Sequence, residues 1–184
     1  VEGDKIVKLF DLKNEVPKFV AKHVFENKQH ILVSVEPAFL LAYKKDGDKW
    51  VDEDIVEFHE KVWFKGASST TVDLDKFGDE SVFSAATFGT GKKHTFAAAG
   101  KRVGKVVSGD NTVLSGDYEV VLELDVFVGG DKKFLKLVYL YKPDGRLKEI
   151  FFQLVDKVWT RVEVKTAAEA LHKIDADFPA DYKV

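Results

Sequence analysis

The stretch Val120–Val128 reads VVLELDVFV. Leu122, Leu124, Val126 and Val128 recur with a period of two, and Glu123 and Asp125 interrupt the positions between them. Successive side chains of a strand point to opposite faces, so this alternation predicts a half-buried β-strand. Gly129, Gly130 and Asp131 follow, residues suited to a tight turn. Phe134–Tyr141 (FLKLVYLY) reads as the returning strand. Pro143, Asp144 and Gly145 make a second turn before a third strand over Lys148–Val155. Asp156 and Lys157 then turn into Val158–Val164, where Trp159 sits among Arg161 and Glu163. Four strands at about ten-residue spacing, joined by short turns, predict an antiparallel meander.

Working outward, the first half repeats this style more loosely. His30–Val35 and Ala38–Tyr43 read as strands broken at Pro37, and Asp46, Gly47 and Asp48 turn into Trp50 and Val51. Glu57–Lys65 (EFHEKVWFK) alternates around Phe58, Val62 and Phe64, which predicts a further strand. The pieces Tyr43–Val51 and Leu154–Val162 share a charged turn followed by Trp, which points to two related β units, about 20–70 and 115–165. Thr166–Glu169 has the form of a capping box, and Ala170, Leu171, Ile174 and Phe178 then recur at helical spacing before Pro179. A helix over about 166–178, packed on the sheet, is expected. A shorter helix is possible around Asp73–Phe83, and Gly89–Gly116 reads as loops around one or two short strands. With no Pro/Ser linker or low-complexity tract, the chain 1–184 reads as a single, mainly β domain.

Composition bounds the chemistry. A chain of 184 residues, 45% hydrophobic and 32% charged, can bury a sizeable core without a metal or disulfide. The net charge of −3 argues against a general phosphate- or nucleic-acid-binding role. There is no Cys, which excludes disulfides, thiolate metal sites and a Cys nucleophile. There is no Met either, so Val1 reads as a processed terminus or a boundary. No apolar run approaches the ~20 residues of a membrane-spanning helix, and Asn14, Asn27 and Asn111 lie in no glycosylation sequon.

Phe88–Lys93 (FGTGKK) invites a phosphate-loop reading, but Ala86 stands in place of the first Gly and Lys93 in place of the Ser/Thr that would hold magnesium. A glycine-rich turn is the better account. His23, His30, His59, His94 and His172 show no metal-ligand spacing, and no Ser occurs in a G-x-S-x-G elbow. No catalytic residue, cofactor site or metal site is assigned, and the chain does not read as an enzyme. The lysine doublets Lys44–Lys45, Lys92–Lys93 and Lys132–Lys133, each near a turn, are the candidate exposed basic contacts. Solvated, edge-protecting turns are the plainer account of them.

Several longer segments are less generic. Val72–Ala85 (VDLDKFGDESVFSA), Phe88–Phe96 (FGTGKKHTF), Gly145–Glu163 (GRLKEIFFQLVDKVWTRVE) and Leu171–Lys183 (LHKIDADFPADYK) resemble the piroplasm merozoite surface antigens of Theileria-type parasites, with wording nearest the equine branch. Gly47–Val51 and Val62–Lys65 fit more loosely. The resemblance implies a precursor with a signal peptide and a tail exchanged for a glycolipid (GPI) anchor. It further implies an extracellular coat domain on the parasite surface that is a dominant target of host antibodies. A role in attachment to the erythrocyte surface or its membrane skeleton is implied too. Two alternatives stand beside this: a carrier of small apolar ligands in a β barrel, and a hydrolase whose His and carboxylate groups converge from distant positions.

Overall fold

The computed structural model describes residues 17–25, 27–35, 39–63, 67–96, 101–117, 119–143 and 145–182. Pro37 and Ala38, where the first two strands were expected to break, and Phe64, Lys65 and Asp144 lie outside them. The chain divides into two compact units, Val1–Trp63 and Phe64–Val184.

The first unit is a four-stranded meander of β1 (Pro17–Phe25), β2 (Lys28–Val35), β3 (Phe39–Asp46) and β4 (Lys49–Glu53), antiparallel throughout. It ends in one turn of helix, α1 (Ile55–Phe58), which widens into a π-turn over His59–Trp63. The strand expected over Glu57–Lys65 is therefore helical in its described part. The reason is local: Asp54 accepts the Glu57 N–H at 2.8 Å, an N-cap, and the adjacent Phe58 and His59 are both fully buried. Burial of neighbours does not fit a half-buried alternating strand and is natural on a helix.

The second unit has three layers. The small layer holds β5 (Ser68–Asp73), β8 (Lys101–Ser108) and β9 (Asn111–Leu114), with β5 and β8 parallel. The central layer has six strands in the order β13-β12-β11-β10-β7-β6, all antiparallel. These are β6 (Phe83–Phe88), β7 (Gly91–Phe96), β10 (Glu119–Gly129), β11 (Lys132–Tyr141), β12 (Arg146–Val155) and β13 (Val158–Val162). The third layer is α2 (Val164–Ile174). The expected meander is thus present as β10–β13, and the protein is mainly β with a C-terminal helix. The expected helix around Asp73–Phe83 is reduced to a 3₁₀ turn at Leu74–Lys76, and the glycine-rich stretch carries three strands.

Both faces of the central sheet are covered, so β10 is more buried than its polar positions suggest. One face packs Val121, Leu124 and Val126 with Leu135, Leu137, Phe152 and Trp159 against Val72, Val103 and Val106 of the small layer. The other seats Ala167 and Leu171 of α2 on Phe127, Phe134 and Phe151. Each such Phe contributes about 2–3 kcal/mol relative to an exposed side chain. Helix α2 begins at Val164, two residues before Thr166, and its N-cap Glu163 makes no side-chain cap bond. Apolar contact replaces the expected capping box: Val162 and Val164 already reach the aromatic seat.

The last turn of α2 rests directly on sheet backbone. The Thr90 N–H donates to the Ile174 carbonyl at 2.9 Å, and the Ile174 side chain fills the space over Gly129. Gly89 has φ +54, and a Cβ there would stand 2.0 Å from the Ile174 carbonyl oxygen. The glycines of the FGTG turn and of the β10–β11 turn thus admit the helix. We expect Gly89→Ala to cost about 2–4 kcal/mol, from strain plus a backbone clash. Gly130→Ala, at φ +61 with nothing within 4 Å, should cost only about 1 kcal/mol. Urea unfolding of both variants checks the difference.

Candidate functional site

Beyond the aromatic seat, the helix-facing side of the sheet turns polar. The chain after α2 crosses it, with Phe178 against Phe88 and Phe127 at 6.1 and 6.3 Å between centroids and Tyr182 stacked on Phe178 at 5.2 Å. The His172 Nδ1 lies 2.7 Å from the Phe178 carbonyl oxygen, to which it can donate. Phe178 was expected at the end of the helix; it lies past the helix end yet joins the same cluster.

From Tyr182 inward the groups are linked in series. Its hydroxyl donates to Glu149 Oε2 at 2.9 Å, and Lys136 Nζ lies 3.9 Å from the same oxygen. Lys136 Nζ also donates to Glu123 Oε1 at 3.1 Å. Two residues along β10, the wholly buried Asp125 accepts from Thr95 Oγ1 at 2.6 Å, and its Oδ2 lies 2.7 Å from Lys93 Nζ. The register explains the convergence: Asp125 sits opposite Thr95 on β7 and Lys136 on β11, and Lys136 opposite Phe151 on β12. Three carboxylates here face two ammonium groups. Burial pushes the Glu123 carboxyl above its ordinary value, with the hydrogen bond to Asp125 next and Lys136 opposing. Burial also raises the Tyr182 hydroxyl, reinforced by the charge of Glu149.

The lysine doublets separate. Lys44–Lys45 lie within β3 and Lys92–Lys93 within β7, so strand alternation sends the members of each pair to opposite faces. Lys93 turns inward to Asp125. Lys92 and Lys133 both stand opposite Val128, one across β7–β10 and the other across β10–β11. They therefore share the opposite face, roughly 10 Å apart, with the exposed Lys132 at the hairpin end. Lys133 Nζ lies 5.1 Å from the Phe77 ring, which meets His94 edge-on at 5.1 Å. Burial, then the charge of Lys92, holds His94 below its ordinary pKa. The sequence signal that could have found the inward cluster is the polar run of Glu123 and Asp125 in β10 with Lys136 in β11, each flanked by apolar residues.

Among the described residues, no three His, Asp or Glu side chains are placed to hold a metal ion, and no helix is long and apolar enough to cross a membrane. The six-stranded sheet runs from edge to edge between β13 and β6. A cavity of about 90 Å³, lined by Phe96, Lys101, Val103 and Val121–Leu124, lies where β10 runs beyond β7. Pockets for drug-sized ligands are about 300–1,000 Å³.

Comparison gives the class: the merozoite antigen family model matches residues 2–184. The chain belongs to the merozoite antigen (EMA) family and is a parasite surface antigen. No curated protein and no solved structure matches it.

The raised Glu123 carboxyl sets a pH dependence. A group whose folded pKa lies above its ordinary 4.5 adds stability below that pH and loses it as pH rises through the folded value. Measured against Glu123→Gln from pH 4 to 8, the thermal midpoint of the native chain should decline as pH rises, the opposite contribution of His94 being common to both chains. Asp125→Ala should cost about 2–4 kcal/mol, because it strands Lys93 and Thr95.

Proposed function

We propose that this protein is a coat antigen of the merozoite, held to the parasite membrane by a glycolipid anchor and presented to host antibodies. We further propose that it attaches to acidic groups of the erythrocyte surface or membrane skeleton. The observation that carries the attachment reading is the row of Lys92 and Lys133 flanking Val128, with Lys132 beside it. Side chains fixed on two strands that flank β10 present their charges at a set spacing, which suits sialylated or sulfated glycans or an acidic protein tail. Family membership over residues 2–184 supports the coat reading. Lys44 and Lys45 belong to the other unit and take no part in this row.

The soluble chain should bind saturably to intact red cells, ghosts or skeleton preparations, and more weakly as salt is raised. A Lys92→Glu, Lys133→Glu double variant should lose about tenfold in affinity, each exposed charge being worth up to about 1 kcal/mol. Binding to none of the three preparations would remove attachment and leave the coat role alone. Binding unaffected by salt and by the double variant would move the contact elsewhere.

A further inference from the structure

The outermost strands of the sheets differ in how they are protected against pairing with another chain. An exposed edge offers unpaired N–H and C=O groups, and proteins blunt it with charges, proline, bulges or shortness. Among the described residues, β1 carries the exposed Lys22 and a register shift. β4 carries Lys49, Asp52 and Glu53, and β13 carries Arg161. β5 ends in Asp73 and shifts register at Thr70/Thr71; β9 has four residues and pairs with a shift. β6 has none of these devices. It reads FSAATF, without charge or proline, and its pairing with β7 runs unbroken from Phe83↔Phe96 to Phe88↔Gly91.

β6 is also open on both faces. Ser84, Ala85, Ala86 and Thr87 are all exposed, although adjacent residues of a strand point to opposite sides. The middle of the strand is therefore uncovered on both faces, while Phe83 and Phe88 at its two ends pack into the cores on either side of the sheet.

We propose that β6 is a self-association edge, at which a second copy of this chain adds its own β6 antiparallel and continues the sheet. A two-fold axis perpendicular to an antiparallel sheet must place one residue opposite its own mate. Here the centre of the strand is Ala85 or Ala86, so the smallest side chains face each other at the axis. Nothing larger than Thr stands between Ser84 and Thr87 to hold the strands apart on either face. A net charge of only −3 leaves little long-range repulsion between copies. The same axis keeps both α2 helices on one side of the joined, twelve-stranded sheet. A strand-edge contact buries little area, so the pairing is a weak one. It does not depend on the attachment reading, which uses lysine side chains on β7 and β11 and not the outer backbone edge of β6.

The test uses the full chain, whose lack of Cys makes single introduced thiols informative. Ala85→Cys and Ala86→Cys are oxidised in parallel with Thr160→Cys, placed on the guarded edge β13. One of the two β6 variants should form covalent dimer at least about tenfold faster than Thr160→Cys. Sedimentation from micromolar to near-millimolar concentration should show reversible dimer for the native chain. It should be weakened at least tenfold by Ala86→Lys, with an unchanged melting temperature as the check on folding. Equal cross-linking at β6 and β13, or a native chain that stays monomeric over that range, would overturn the proposal.

Discussion

The structure of the second unit depends on how the end of α2 meets the sheet. A helix leaves its last carbonyls without partners, and here the β6–β7 turn supplies one. The Ile174 oxygen receives the Thr90 N–H at 2.9 Å and the Thr90 hydroxyl at 3.2 Å. That contact requires backbone to pass close to backbone, and Gly89, at φ +54, allows it. Three features follow from this seat. The β6–β7 hairpin is fastened to the helix as well as to β10. The chain after Ile174 is aimed back across the sheet, so that Phe178 and Tyr182 close the aromatic seat. Tyr182 in turn brings its hydroxyl onto Glu149, which shields the polar groups behind it.

The same seat accounts for the glycines that make the FGTGKK segment invite a phosphate reading. Its glycines do approach something closely, as phosphate-loop glycines do, but the neighbour is a helix C-terminus, not an anion. Of its two lysines, one neutralises a buried carboxylate and the other stands on the opposite face. Spacing alone could not separate these roles. The deciding quantity is which face each residue takes, and that is set by the register with β10.

Legibility in the sequence tracks how local each cause is. The meander β10–β13 was readable because alternation, turn residues and strand length agree within ten residues of one another. Helix α2 was readable from its stripe, but its start was misplaced, because Val162 and Val164 prefer the distant Phe134 and Phe151 to an exposed capping box. The segment after Asp54 reads as a strand from Phe58 and Val62, yet a four-residue capping signal, Asp54 to Glu57, outweighs that alternation. The inward cluster was the least readable part. Glu123 and Asp125 read as the solvent side of a half-buried strand, yet with α2 and the C-terminal chain over that side Asp125 is wholly buried and Glu123 half-buried.

The run β1–β4–α1 of the first unit and the run β10–β13–α2 of the second have the same order of elements, and their registers allow position-by-position comparison. Trp50 and Trp159 are each the second residue of a strand that follows a two-residue turn, and an N-cap comes four residues later in both, Asp54 and Glu163. By the same counting Ala42 matches Phe151, Glu53 matches Val162, and His30 matches Phe134. Where the second unit packs Phe134 and Val162 beneath its helix, the first places the buried pair His30 and Glu53, 2.8 Å apart, beside the bulkier Phe58. Conversely, Lys136 and Glu149 of the polar cluster match Leu32 and Leu40, both buried. Polar and apolar ends of the helix-facing side are therefore exchanged between the units. An architecture that accepts Leu at these positions does not itself require Lys136 and Glu149. Burying charges costs free energy that apolar side chains of similar size would not. The cluster is thus a particular property of the second unit, whose electrostatics Glu123 and Tyr182 make sensitive to pH and to the placement of the C-terminal chain.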